Sequence, residues 1–257
     1  PERGHAEKDT GKGKTSVNTE ATTYYEDIKV LLKNPTYNVF FGVTSTAGYT
    51  AKVFVVGTLG WWAPNFIQYA YSWWRGKAGV KELPLYKMDN VNLIFGAITC
   101  VCGIIGVLLG SFLSQRWRGG WGPFRNHATE RADFYICAVG AFIGAPFCFV
   151  AFVFGEKSMY LCWIMIFIGI VAMCFNWSVN VDVLLHCVVP NRRSTAMAYS
   201  TLISHLFGDA PSPYLIGVIS DHIRHDDTYP VGHYHSWRKA TYVLTFILFL
   251  AAAIWFI

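Results

Sequence analysis

NWSVNVDVLLHCVVPNRRSTAMAYSTLISHLFGDAPSPYLIG, residues 176–217, reads as the end of one apolar helix, a tight basic turn, and a second apolar helix broken by Gly208, Pro211 and Pro213. The stretch is apolar enough to sit in a bilayer, yet it carries Asp182, His186, His205 and Asp209. An ionisable side chain at membrane depth is costly and must face protein or water, so it marks a functional site.

The rest of the chain has the same character. Of 257 residues 53% are hydrophobic and 14% charged, whereas a soluble domain carries about 25% charged residues. Six stretches reach the ~20 residues a helix needs to cross a bilayer: 38–69, 91–114, 133–154, 158–188, 194–220 and 238–257. The fold class is therefore an all-α membrane protein. Residues 1–36 form a polar, basic tail ending in a short amphipathic helix over Thr23–Asn34, and residues 37–257 form a six-helix membrane unit. Arg116, Arg118, Arg125, Arg131, Arg192 and Arg193 fall in two connections on one side, together with the basic tail. The excess of positive charge assigns that side to the cytosol. The last span has no polar flank after Ile257 and the start is equally abrupt, which suggests a piece of a longer polypeptide.

Several function classes drop out. No basic stripe or recognition helix supports nucleic-acid binding. No GxSxG, HExxH or paired-carboxylate motif points to an enzyme. The seven cysteines lie inside apolar runs without metal-ligand spacing, and no cofactor is expected. The GKT at residues 13–15 has Lys8 where a phosphate-binding loop needs glycine.

The polar membrane residues divide by position. At 100° per residue Asn176 and Asn180 share one stripe, with Ser178, Asp182 and His186 on another. The first stripe, with Trp177, lies near mid-depth and suits a binding cavity or hydrogen bonds to a neighbouring helix. Asp182 and His186 lie near the Arg192–Arg193 turn, where charges can be made and broken as a gate; the turn holding Arg116 suits a similar latch. Lys52 should face a cavity, an acidic partner or an anionic head group. His205 and Asp209, four residues apart, share a face and either exchange protons with a water-filled cavity or form a fixed hydrogen bond. The histidines at 222, 225, 233 and 235 read as a solvated loop, and Gly96, Gly103, Gly106 and Gly110 as a close-packing face.

GTLGWWAP at residues 57–64, LIFGAITC at 93–100, RADFYICA at 131–138, Asn176-Trp177 with Asp182 behind it, PNRRSTA at 190–196 and SHLFGDAPSPYLIG at 204–217 resemble the carboxy-terminal half of a spinster-type transporter of the major facilitator superfamily. The chain departs from the family pattern at Lys52, Ile170 and Pro211. The resemblance implies a twelve-helix fold built of two six-helix halves, so that an amino-terminal half is the missing partner. It also implies movement of lysophospholipids or sphingoid phosphates by alternating access, with protons as the coupling ion in some members. Late endosomes, lysosomes or the plasma membrane are the expected locations. The alternative is a truncated polytopic protein that acts as a scaffold for a full-length transporter.

Overall fold

The computed structural model describes residues 25, 26, 29, 46–74, 88–125, 127–129, 131–155, 157–188, 190–224 and 230–256, and excludes the side chains of 74, 88, 89, 124, 186, 187, 230 and 231. Of the tail only Tyr25, Glu26 and Lys29 belong to this set; all three are helical and exposed. The rest of the expected amphipathic helix lies outside the described residues.

The membrane unit consists of α1 (Thr46–Trp74), α2 (Met88–Arg118), α3 (Ala132–Phe154), α4 (Met159–Cys174), α5 (Asn176–Cys187), α6 (Arg193–Ser204), α7 (Ser212–Arg224) and α8 (Pro230–Phe256). The pairs α4–α5 and α6–α7 are two interrupted rods, so the chain crosses back and forth six times. Four helical segments are long and apolar enough to cross a membrane by length and composition alone: Asn90–Arg118, Ala132–Phe154, Met159–Leu185 and Gly232–Phe256. The other two rods are α1, which carries Lys52, and α6–α7, divided by a five-residue π-helical turn at His205–Asp209.

Local chemistry sets the ends. Arg116 and Arg118 occupy the last turn of α2 and Asp133 the first turn of α3, each favourable to the helix dipole. Gly120 and Gly122 adopt positive φ of 64° and 68° in the connection between them, a region closed to most side chains. Ser158 caps α4 by accepting from Leu161 N at 3.4 Å.

Packing is centred on α3, held between α4 and α8, with α1 against α8 and α2 against α4. Phe66 of α1 meets Phe152 of α3 edge-on at 5.2 Å and stacks on Tyr234 of α8 at 5.3 Å. The glycine face of α2 is only half used for packing. A Cβ at Gly106 or Gly110 would strike the backbone of Val171 or Phe175, whereas Gly96 and Gly103 have nothing within 4 Å. The expected loop of histidines is also revised: α8 starts at Pro230, so His233 and His235 are helical, while His225 lies outside the described residues.

Candidate substrate and coupling site

The turn at His205–Asp209 follows from the prolines. Pro211 has no N–H for the carbonyl four residues back, so the helix register slips by one and Ala210 N donates to His205 O at 2.9 Å, five residues back. Pro213 frees the Asp209 carbonyl in the same way, and Ser212 Oγ donates to it at 3.1 Å. Trp62 Nε1 of α1 donates to Pro213 O at 3.0 Å, fixing the break against its neighbour. The kink expected from Gly208, Pro211 and Pro213 is thus a widened turn in which the freed Asp209 carbonyl is paired.

This turn presses on α1. A Cβ on Gly208 would lie 2.8 Å from Thr50 O, and one on Gly57 would overlap Asp209 Oδ1 and lie 3.0 Å from Asp209 Cα. Asp209 therefore rests against bare backbone. His205 Nδ1 lies 3.2 Å from Asp209 Oδ2, and both side chains are about half exposed on this unit.

The second group lies where α4 gives way to α5. Lys52 is fully buried, with Nζ 4.1 Å from the centroid of the Trp177 ring and 5.4 Å from that of Tyr49. Asn176 and Asn180 are also buried, while Trp177 is 45% exposed. The stripe assigned to a cavity wall therefore points into the bundle, and Trp177 covers Lys52 from outside. Lys52 Nζ, both amide atoms of Asn176, Thr50 Oγ1 and Ser178 Oγ are buried without a hydrogen-bond partner among the described residues. Buried polar atoms are nearly always satisfied, so each of these requires an explanation. A separate apolar cavity of about 430 Å³ runs between α1, α6, the π turn and α8, lined by Thr50, Phe54, Ile203, Phe207, Ile247 and Leu250.

At the end of the bundle that carries the arginine turns the charges pair differently from the expectation. Among the described residues nothing pairs with Asp182, Arg193 Nε donates to Val188 O at 3.2 Å, and Arg116 lies over Phe112 at 4.5 Å. His186 falls in α5, with its side chain outside the described set. The ion pair that joins two helices here is Arg118 Nη1 to Asp133 Oδ2 at 3.2 Å, and Ser114 Oγ donates to the other oxygen of Asp133. Asp133 was missed because its partners lie 15 and 19 residues upstream, across the turn. The available signal was a lone acid directly after an arginine-rich connection. Replacing Arg118 by Ala leaves a buried carboxylate, and we expect a loss of about 1–2 kcal/mol, tempered by solvent at the partly exposed guanidinium. Asp133→Asn, which keeps a hydrogen bond to Ser114, should cost less than Arg118→Ala in detergent melting curves; the reverse order would show that the pair does not anchor the latch.

Comparison with known proteins fits this architecture. The chain is 38% identical to Protein spinster homolog 1 of Xenopus laevis over 97% of its own length and 43% of that protein's. It is also 38% identical to the Probable sphingolipid transporter spinster homolog 1 of Arabidopsis thaliana, over 98% of this chain and 47% of that one. The chain thus spans less than half the length of these relatives. The Organic Anion Transporter Polypeptide (OATP) family model matches residues 156–223, which contain α4 to α7. Among solved structures, a bacterial homologue of the human lysosomal transporter Spinster, inward-facing and unoccupied, superposes with a TM-score of 0.69 at 19% identity. The match covers 96% of this chain and 51% of that one.

Proposed function

The chain is a spinster-family sequence over 97% of its length, with the fold of one six-helix half of a major facilitator transporter, and we propose that it forms one wall of a lipid transporter for lysophospholipids or sphingoid phosphates. The observation that carries the reading is the set of buried, partnerless polar atoms around Lys52 and Asn176. Each unmade hydrogen bond in a buried setting costs about 1–3 kcal/mol. An anionic head group supplies acceptors for the ammonium and amide, and can reach them when Trp177 swings aside. Asn180, on the same stripe, completes that wall. The apolar cavity between α1, α6 and α8 suits the single chain of a lysolipid. The printed names of the relatives, a sphingolipid transporter and an organic-anion transporter family, agree with a negatively charged amphiphile.

Transport needs two packings of the halves whose balance substrate or proton shifts, and a second six-helix half supplies the opposite wall. His205 and Asp209 are the proton-coupling pair in this scheme. A carboxylate seated on helix backbone at Gly57 senses any movement of α1, so its protonation and the rod's position are linked. Arg116, Asp182, His186, Arg192 and Arg193 gate the cytosolic end, alongside Arg118 and Asp133. The protein is an integral membrane protein, and we place it in late endosomal, lysosomal or plasma membranes.

Uptake by the full-length protein in proteoliposomes tests this. A sphingoid phosphate should be moved and an uncharged monoacylglycerol should not. Asp209→Asn should flatten the pH profile of uptake while leaving expression intact. Equal uptake of both lipids, or an unchanged pH profile in Asp209→Asn, would overturn the corresponding part of the reading.

A further inference from the structure

Opposite the arginine turns, at the other end of the bundle, α1, α7 and the start of α8 enclose a separate cavity of about 470 Å³. Its floor is aromatic: the rings of Trp62 and Trp237 lie 4.2 Å apart, and the hydrogen bond to Pro213 O holds the Trp62 indole in place. Its polar end is a chain of contacts. Tyr69 stacks on His233 at 5.1 Å and 5°, Arg224 Nη1 lies 2.7 Å from His233 Nδ1, and Arg224 Nη2 lies 3.1 Å from Asp221 Oδ1.

A guanidinium can only donate, so the ring nitrogen that faces it carries no proton, and His233 is neutral in this arrangement. Arg224 is thereby held, with the planar fork that recognises phosphate bidentately, at the edge of a cavity lined by Trp62, Tyr69, Tyr214 and Trp237 together with Asn65, Pro213, Gly217 and Val218. Asp221, its other partner, is two-thirds exposed and exchanges readily for water. Tyr214, 73% exposed, and Val218, 49% exposed, flank the cavity at its open side.

We propose that this cavity is a second site, away from the Lys52 group, for a phosphate-bearing anion: the head of an amphiphile entering laterally, or free phosphate. Arg224 anchors the phosphate and the Trp62–Trp237 floor takes the first methylenes. The site tightens on acidification. When His233 gains a proton both ring nitrogens become donors, the contact with Arg224 turns repulsive, and the cavity presents two cations where it had one. The other titratable groups close by are Tyr69 on α1 and Asp221 and His222 on α7, while His235 turns instead to Trp73.

The experiment uses the purified full-length protein in maltoside detergent with a diazirine-tagged lysophosphatidate, mapped by peptide mass spectrometry. Labelling should fall within residues 213–237 and be stronger at about pH 5.5 than at about pH 7.5, the range in which histidine titrates. Arg224→Gln should lower it about tenfold, equivalent to about 1.4 kcal/mol. Arg224→Lys, which keeps the charge, should retain most of it, His233→Gln should equalise the two pH values, and Lys52→Met should leave it unchanged. Competition by inorganic phosphate assigns the site to the free anion, and its absence assigns it to the lipid head. Absence of label within this segment, or undiminished label there in Arg224→Gln, overturns the proposal, whereas label near Lys52 or Asn176 reports the other site. Because nothing here measures transport, the result is independent of the proposed function.

Discussion

Lys52→Met will raise the melting temperature and abolish recognition of the anionic lipid. Holding an ammonium at membrane depth costs about 3 kcal/mol. The Trp177 ring at 4.1 Å returns about 2 kcal/mol of cation–π attraction. The balance, about 1 kcal/mol, is recovered when an apolar side chain of similar length replaces the lysine, which should appear as a rise of a few degrees on melting. Affinity for the phosphate head moves the other way. A charge-assisted hydrogen bond is worth up to about 3 kcal/mol, so the full-length variant should bind a sphingoid phosphate about a hundredfold more weakly. A fold element and a ligand anchor predict opposite signs on stability. A Lys52→Met protein that melts lower would mean that the lysine holds the bundle together and awaits no ligand.

The second large effect comes from a single methyl group. At Gly57 a Cβ would overlap Asp209 Oδ1, which can rotate, but also lie 3.0 Å from Asp209 Cα, which cannot. Gly57→Ala must therefore push α1 away from the π turn. Overpacking of this kind costs about 1–3 kcal/mol, and it displaces the carboxylate assigned to proton coupling. We expect a lower melting point and uptake by the full-length protein reduced at least about tenfold. Gly60 lies three residues on, with nothing within 4 Å of a Cβ. Gly60→Ala should be neutral or slightly stabilising, because alanine is the better helix former. If the two variants behave alike, the contact between α1 and the turn has no special role.

Length and apolar composition made the six rods and their order legible, four of them apolar enough to cross a bilayer on those grounds alone. What they left open was which way each face turns. Asn176 and Asn180 share a stripe as their spacing requires, but spacing does not say whether the stripe meets a cavity or a neighbouring helix. In the fold it meets the bundle, and Trp177 stands outside. The four glycines of α2 look alike in sequence, and only contact with α4 and Phe175 separates Gly106 and Gly110 from Gly96 and Gly103. Proline spacing announced a bend near Asp209. That the bend is a π turn seated on Gly57 depended on a helix more than a hundred residues upstream. His233 was read as loop because His222, His225 and His235 surround it in a polar stretch, although Pro230, well suited to open a helix, stands three residues before it. Pairings across the turns, Arg118 with Asp133 above all, are tertiary facts that residue type suggests but cannot assign.

The central claim is that the buried polar atoms around Lys52 and Asn176 await an anionic lipid head. Native mass spectrometry of the full-length protein tests it most directly, with a sphingoid phosphate and an uncharged monoacylglycerol of the same chain length in competition. The wild type should retain the phosphate lipid selectively, and Asn176→Leu and Lys52→Met should both lose that selectivity. Equal retention of the two lipids by the wild type, or undiminished selectivity in both variants, would contradict it.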